Sequence, residues 1–309
     1  MNNILKRYSG NPILEPIFKN SWEARMVYNC AALYEGGKVH LVYRARGVDG
    51  GVSRFGYASS KDGFHIDERL AEPIFTGDSS SDFECFGCED PRLTRIEDRI
   101  YMCYTAFGQV PGISRRVNSI QLGMTSISLR DFLSKRWNWE KPWYPFFRVD
   151  NKDAFLFPER IKGKYVLYHR IPPHMWISYS KDLKNWDEAK IIMKIRPGWE
   201  NFKIGGGAPP IRTKKGWLIV YHGVNEKFHY QLGIAMASLD DPSKIIYRYS
   251  EPFLSPSESY EKEGLVPNVV FTCGAVVIKD TLFVYYGGAD TVICVATADM
   301  KELLNKIKI

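Results

Sequence analysis

Glu89-Asp90-Pro91-Arg92, Asp153, His169-Arg170, Lys203-Ile204-Gly205-Gly206-Gly207 and His222 scatter carboxylates, cations and bare backbone along a chain of 309 residues. A carboxyl can bind hydroxyls or protonate a leaving oxygen, while Arg, Lys and His hold an anion. Gathered into one cavity, such groups suit sugar chemistry. Each also has a plainer reading. Glu and Asp ahead of Pro often make a salt bridge at a turn, and Gly-Pro stretches are usually turns. The glycine run lacks the P-loop pattern, so no nucleotide is expected on it. What decides between the readings is whether a fold gathers these positions.

An internal repeat supplies that fold. Five strands share one pattern, His40–Arg44, Tyr101–Thr105, Tyr165–His169, Leu218–His222 and Leu282–Tyr286, and each follows a tight turn. Each is succeeded by a second apolar strand ending in small residues: Phe55–Ser59, Leu122–Ser126, Trp176–Ser180, Leu232–Ala237 and Val292–Thr297. The turns at 37, 98, 163, 216 and 280 are 61, 65, 53 and 64 residues apart, the period of propeller blades. The chain is therefore expected to be all-β, a single five-bladed propeller over residues 1–309, with a short basic helix from Met300 onwards. An irregular sandwich is the rival. No βαβ alternation with GxGxxG appears.

A propeller gathers equivalent strand positions around one channel. The residues after the shared Tyr are Arg44, Thr105, His169, His222 and Tyr286, all polar in apolar strands, and Arg170 lies beside His169. About fourteen or fifteen residues earlier stand Asn29, Asp90, Asp153 and Gly207, while Gly288-Ala289-Asp290-Thr291 mirrors the channel position in the last blade. These sets are expected to converge.

Composition narrows the partners. Hydrophobic residues are 45%, charged 25% and aromatic 14%, ordinary for a globular chain except in the aromatics, which favour strands and carbohydrate- or base-stacking surfaces. A net charge of +7 is dispersed rather than striped, so nucleic acid is not expected. No apolar run approaches a bilayer crossing and no signal peptide is apparent, so no membrane partner and a cytoplasmic location are expected. Six cysteines include one CxxC, Cys85 and Cys88, without a second pair. Reduced thiols, with no metal and no cofactor, are the expectation.

The runs EDPR at 89–92, NKDAFLFPE at 151–159, YHR at 168–170, GWENFKIGGGAPP at 198–210, GWLIVYHGV at 216–224, VPNVVFTCGAVV at 266–277 and YYGGAD at 285–290 resemble glycoside hydrolase family 130. The resemblance spans nearly the whole chain. It implies a five-bladed propeller and, for most members, an inverting β-mannoside phosphorylase that releases α-mannose 1-phosphate. Asp90 would be the general acid, acting through the 3-hydroxyl of the mannose. Lys152, Arg170, Lys203 and His222 would bind phosphate, with Tyr230 joining them, and Asn29, Arg44 and Asp290 would bind mannose hydroxyls. Asp153 faces the same cavity by its repeat position and is expected among the substrate-binding residues.

Three rivals accompany this reading. A β-mannoside hydrolase would need a second carboxylate as base, for which Glu261 and Glu263 stand in a charged run that reads as a solvated loop. A non-catalytic mannoside-binding propeller would bind without turnover. Within phosphorolysis, β-1,2-mannobiose or β-1,2-oligomannan is the expected substrate, with β-1,4-mannosyl-N-acetylglucosamine or β-1,4-mannooligosaccharides as alternatives. Acceptor contacts are expected from residues 84–86, 109–116 and 137–147. Family members often self-associate, so a homo-oligomer is a further expectation of the resemblance.

Overall fold

The structure is a computed structural model that describes residues 4–48, 52–110, 118–146 and 149–309. Five antiparallel sheets follow one another along the chain. Blade 1 comprises Met26–Glu35, Lys38–Arg46, Arg54–Ser60 and Glu68–Arg69, with Phe75–Thr76 also on its third strand. Blade 2 has Cys88–Ile96, Arg99–Gln109 and Asn118–Ser128. Blade 3 has Lys152–Leu156, Tyr165–Ile171, His174–Ser180 and Lys190–Met193. Blade 4 is built from Lys203–Gly206, Gly216–Val224, Tyr230–Ala237 and Ile245–Arg248, with Ile211–Thr213 beside its second strand. Blade 5 is Val270–Ile278, Thr281–Gly288 and Val292–Asp299, and the N-terminal Lys6–Arg7 pairs onto its outer edge. The two ends of the chain thus close the ring, giving the five-bladed propeller the repeat predicts.

Strand alternation explains why the blades stack. Every second residue of a blade's middle strand points to one neighbour and the rest to the other. Leu41 and Tyr43 join Phe283 and Tyr285 between blades 1 and 5, whereas Val42 packs with Met102 and Tyr104 towards blade 2. Five such clusters fill the five clefts between blades. Each fully buried Leu, Val or Phe contributes about 1.5–3 kcal/mol by leaving water. Most aromatics serve here.

The same alternation corrects the alignment on the shared Tyr. In blades 1, 2 and 4, Tyr43, Tyr104 and Tyr221 face the preceding blade, but Tyr168 and Tyr285 face the following one. A one-residue slip exchanges the two faces of a strand. The residues equivalent to Arg44, Thr105 and His222 are therefore Arg170 and Gly287, not His169 and Tyr286. His169 is held by Asn151 at 2.9 Å and stacks on Phe146, and Tyr286 donates to Glu261 at 2.8 Å.

The expected C-terminal helix is Met300–Lys306, capped by Asp299, whose carboxylate accepts from the Glu302 amide at 2.7 Å. It is less detached than the sequence suggests, since Leu303 and Ile307 are buried in the core between blades 4 and 5. Lys215 Nζ donates to the carbonyls of Leu304 and Ile307, each at 2.8 Å. No helix among the described residues is long and apolar enough to cross a membrane.

Candidate active site

The innermost strands of the blades meet at the centre, and β-bulges aim their side chains there. The register of the first strand breaks between Tyr28 and Cys30 in blade 1, Glu89 and Arg92 in blade 2, and Lys152 and Phe155 in blade 3. Each bulge holds one residue in the left-handed region, with φ of 47° at Asn29, 54° at Asp90 and 54° at Asp153. Asn and Asp tolerate that conformation better than other side-chain-bearing residues. A bulge also accommodates Pro91, which has no amide to give a ladder. The extra residue turns its side chain out of the pleat and into the channel. In blade 5 a hairpin turn does the same work, with Ala289 and Asp290 at φ of 44° and 54°.

Asp90 is the hub of one half of the site. Its Oδ1 accepts from Asn29 Nδ2 at 2.9 Å and from Arg44 Nη1 at 3.1 Å, and Lys152 Nζ lies 3.5 Å from Oδ2. Arg44 is oriented by Ser53, by the Glu89 carboxylate and by the ring of Tyr28, 4.7 Å from its guanidinium carbon. Glu89 thus does make the salt bridge its position suggests. Gly287 is small because a Cβ there would come 2.3 Å from Asn29 Oδ1. Burial pushes the Asp90 carboxyl up, but Arg44, Lys152 and Arg92 outweigh it and hold the pKa at about 2. Asp290 goes the other way. Its burial dominates over Arg44, and its pKa is raised to about 6.

Asp153 is the hub of the other half. Arg170 Nη1 lies 2.6 Å from its Oδ2, His222 Nε2 3.5 Å from the same atom, and Arg92 Nη2 3.3 Å from Oδ1. Its side chain is 0% exposed; burial pushes its pKa up, but the charges of Arg170 and Lys152 lead those that outweigh it and keep it ionised. Both oxygens of Asp153 lie beside cationic or imidazole side chains, which the carboxylate orients. Burial lowers the His222 pKa to about 3, beyond what Asp153 restores, so its ring is neutral. The rings of His222 and Tyr230 stack at 6.1 Å, and Lys203 Nζ sits 5.2 Å from the Tyr230 ring centre. Burial first, then Arg170 and Lys152, lower the Lys203 pKa to about 8. Lys152 belongs to both halves. Burial would lower its pKa, but Asp153, Asp90 and Glu89 raise it overall.

The structure thus brings together Asn29, Arg44, Asp90, Lys152, Asp153, Arg170, His222 and Asp290 through direct contacts or shared electrostatics, with Lys203 and Tyr230 alongside. Gly205, Gly206 and Gly207 are not an amide cradle. Their missing side chains leave room, since a Cβ on Gly205 would lie 2.6 Å from Asp153 Oδ2, and the carbonyls of Gly206 and Gly207 accept from Arg92. Glu261 is not a solvated loop residue. It is fully buried, accepts from Arg7 at 2.7 and 2.8 Å and from Tyr286, and is not free to act as a base.

Of the segments expected to touch an acceptor, Glu84 is buried and bonded to Tyr104 and the Asp78 amide, while Trp137 and Trp139 pack onto the core of blades 1 and 2. Residues 111–116 and Phe147 lie outside the described residues. Arg92 stands in the sequence only as the last residue of EDPR, yet it is the most extensively bonded cation of the centre. The signal available in the sequence is an arginine set at the start of a blade's first strand, between Pro91 and Leu93. Among the described residues no group of three or more His, Cys, Asp and Glu is placed to hold a metal ion.

A propeller whose bulges converge an acid, neutral hydrogen-bonding groups and a cation cluster defines a sugar-processing site of the glycoside hydrolase kind. The chain belongs to glycoside hydrolase family 130, whose sequence model, described as β-1,4-mannooligosaccharide phosphorylase, matches residues 2–309. It is 44% identical to the 1,2-β-oligomannan phosphorylase of Thermoanaerobacter sp. (strain X514), over 97% of this chain and 98% of that one. It is 43% identical to the β-1,2-mannobiose phosphorylase of the same organism, with the same coverage. The structure of the Listeria innocua β-1,2-mannobiose phosphorylase in complex with β-1,2-mannobiose superposes with a TM-score of 0.84 at 28% identity, covering 99% of both chains.

Proposed function

We propose that this protein is an inverting phosphorylase that cleaves β-1,2-mannobiose or β-1,2-oligomannan with inorganic phosphate, releasing α-mannose 1-phosphate. The observation that carries the reading is the imbalance of charge around Asp153. Arg170 pairs with this one carboxylate and His222 lies beside it, Lys152 and Lys203 interact with its charge, and no carboxylate among the described residues lies within ion-pair distance of Lys203. Such an excess of donors suits a multiply charged oxyanion. The linkage rests on the β-1,2 activities named for the two relatives at 44% and 43% identity.

Phosphate needs no base to become a nucleophile. It needs to be held in line with the anomeric carbon, which is the work of Lys152, Arg170, Lys203, His222 and Tyr230. The bond from the anomeric carbon to the acceptor oxygen breaks as one to a phosphate oxygen forms on the opposite face. The acceptor oxygen takes a proton from Asp90, relayed through a sugar hydroxyl. The proton carried in on hydrogen phosphate restores the balance over the cycle. With Asp90 ionised beside Arg44 and Lys152, an arriving anion offsets that positive field and raises the carboxyl's affinity for the proton. Asn29, Arg44 and Asp290 hold the mannose.

A hydrolase would require a second carboxylate across the sugar from the acid, spaced for a water. Glu261 is bonded to Arg7 and Tyr286, and Glu263 is exposed. Incubation with β-1,2-mannobiose in the presence and absence of phosphate tests the reading. The expected result is α-mannose 1-phosphate with phosphate and no cleavage without it. Free mannose at an equal rate without phosphate would establish a hydrolase, and binding without turnover a lectin-like propeller.

A further inference from the structure

We propose that Arg92 is a positioning residue for the reaction, one guanidinium that fixes the acid-bearing bulge of blade 2 against the anion-binding halves of blades 3 and 4. Arg92 is 1% exposed. Its Nη1 donates to the carbonyl of Asp90 at 2.9 Å, Nε to the carbonyl of Gly207 at 3.1 Å, and Nη2 to the carbonyl of Gly206 at 2.8 Å and to Asp153 Oδ1 at 3.3 Å. The guanidinium carbon lies 5.6 Å from the centre of the Phe271 ring of blade 5. Four acceptors from three blades therefore share one rigid, planar donor.

Two of these acceptors matter for chemistry beyond packing. The Asp90 carbonyl belongs to the left-handed bulge residue whose side chain is the proposed acid, so its bond to Arg92 restrains the torsion that aims the carboxyl. Asp153 is the carboxylate on which Arg170 and His222 converge, so the same cation sets the acid-to-anion separation. A misplacement of about 1 Å at such a centre is enough to cost about 10²-fold in rate. Lysine cannot replace this fork, because an ammonium has three donors about one point and cannot span four acceptors.

The inference rests on the reading of Asp90 as the acid, and the test separates the two. Arg92→Lys, Arg92→Met and Asp90→Asn are purified, with folded fraction and melting temperature measured beside kcat, both KM values and calorimetric binding of inorganic phosphate. The expected result is an Arg92→Lys protein that is folded and binds phosphate within about threefold of wild type, with kcat per folded molecule down about 10²-fold. Arg92→Met, which also removes the charge, is expected to displace the acid limb of the pH profile. A lowered melting temperature with kcat per folded molecule within threefold of wild type in Arg92→Lys would overturn the proposal, as would failure of both variants to fold. If Asp90→Asn retained turnover, the reading of the acid would fail independently. An inactive Asp90→Asn beside a normal Arg92→Lys would sink this inference alone.

Discussion

The middle strands carry buried polar residues on both faces, and the two faces treat them oppositely. On the face towards the preceding blade, a ring hydroxyl meets a buried glutamate from the segment before its own blade's first strand: Tyr43 with Glu23, Tyr104 with Glu84, Tyr221 with Glu200 and Tyr286 with Glu261. In three of these an outer-strand arginine closes the contact, namely Arg69, Arg248 and Arg7. Arg7 comes from the N-terminal strand, so this clasp also locks the ring shut. Glu261 accepts from Arg7, Tyr286 and the amides of Ser257 and Glu258. Its acceptor capacity is used up.

One residue further along the same strands, and on the bulges beside them, the groups facing the channel are left incomplete. Asn29 Oδ1, Thr105 Oγ1, Arg170 Nε and His222 Nδ1 are buried without a hydrogen-bond partner in the protein. Unpaired buried polar atoms are costly and rare in folded proteins, and they concentrate where a ligand completes them. The contrast teaches that burial and charge alone do not mark a catalytic centre here. No glutamate or tyrosine atom of the clasps is among the buried atoms left without a partner, whereas the pocket leaves several.

The comparison can be broken at either face. Asp90→Asn is expected to reduce phosphorolysis by about 10³-fold with the melting temperature nearly unchanged, which steady-state kinetics and thermal unfolding together would check. Glu261→Gln should do the reverse, costing about 3–5 kcal/mol and roughly 5–10 °C of melting temperature because Arg7 loses its counter-charge, with kcat of the folded enzyme intact. Arg170→Met should weaken kcat/KM for phosphate by about 10²-fold and leave mannoside binding largely in place; equal losses for both substrates would show that the two halves are not separate. The smallest effect concerns Lys203. Its pKa of about 8 means that it loses its charge as pH rises from 7 to 9, so KM for phosphate is expected to climb several-fold over that range. That climb should be absent in Lys203→Met.

The blades were legible in the sequence because turns and apolar strands recur where every cleft needs them, and Tyr43, Tyr104 and Tyr221 mark a common register. Blades 3 and 5 slip because their marker Tyr lies one residue nearer the N-terminus, a shift that changes face without changing composition. Nothing in the letters Asn29, Asp90 and Asp153 announces a left-handed bulge, which depends on the partner strand's register. The clasps did leave a trace: Glu23 and Glu84 each stand twenty residues before their tyrosine, and Glu200 twenty-one. Glu261 lies twenty-five before Tyr286, so the charged run around it read as solvent-facing. Arg170 and His222 stand out by repeat position and Lys203 by the glycine run it opens, and the family resemblance adds their phosphate role, while their arrangement around Asp153 requires the fold.

The central claim is that the half of the channel built around Asp153 is a phosphate site. A crystal structure of the protein grown with inorganic phosphate tests it most directly. The account predicts one phosphate in the channel, hydrogen-bonded to Arg170, Lys203 and His222, with Asp90 on the far side of the space for the mannose. A channel holding only water at saturating phosphate, or an anion bound elsewhere while Arg170 stays paired with Asp153 alone, would contradict it.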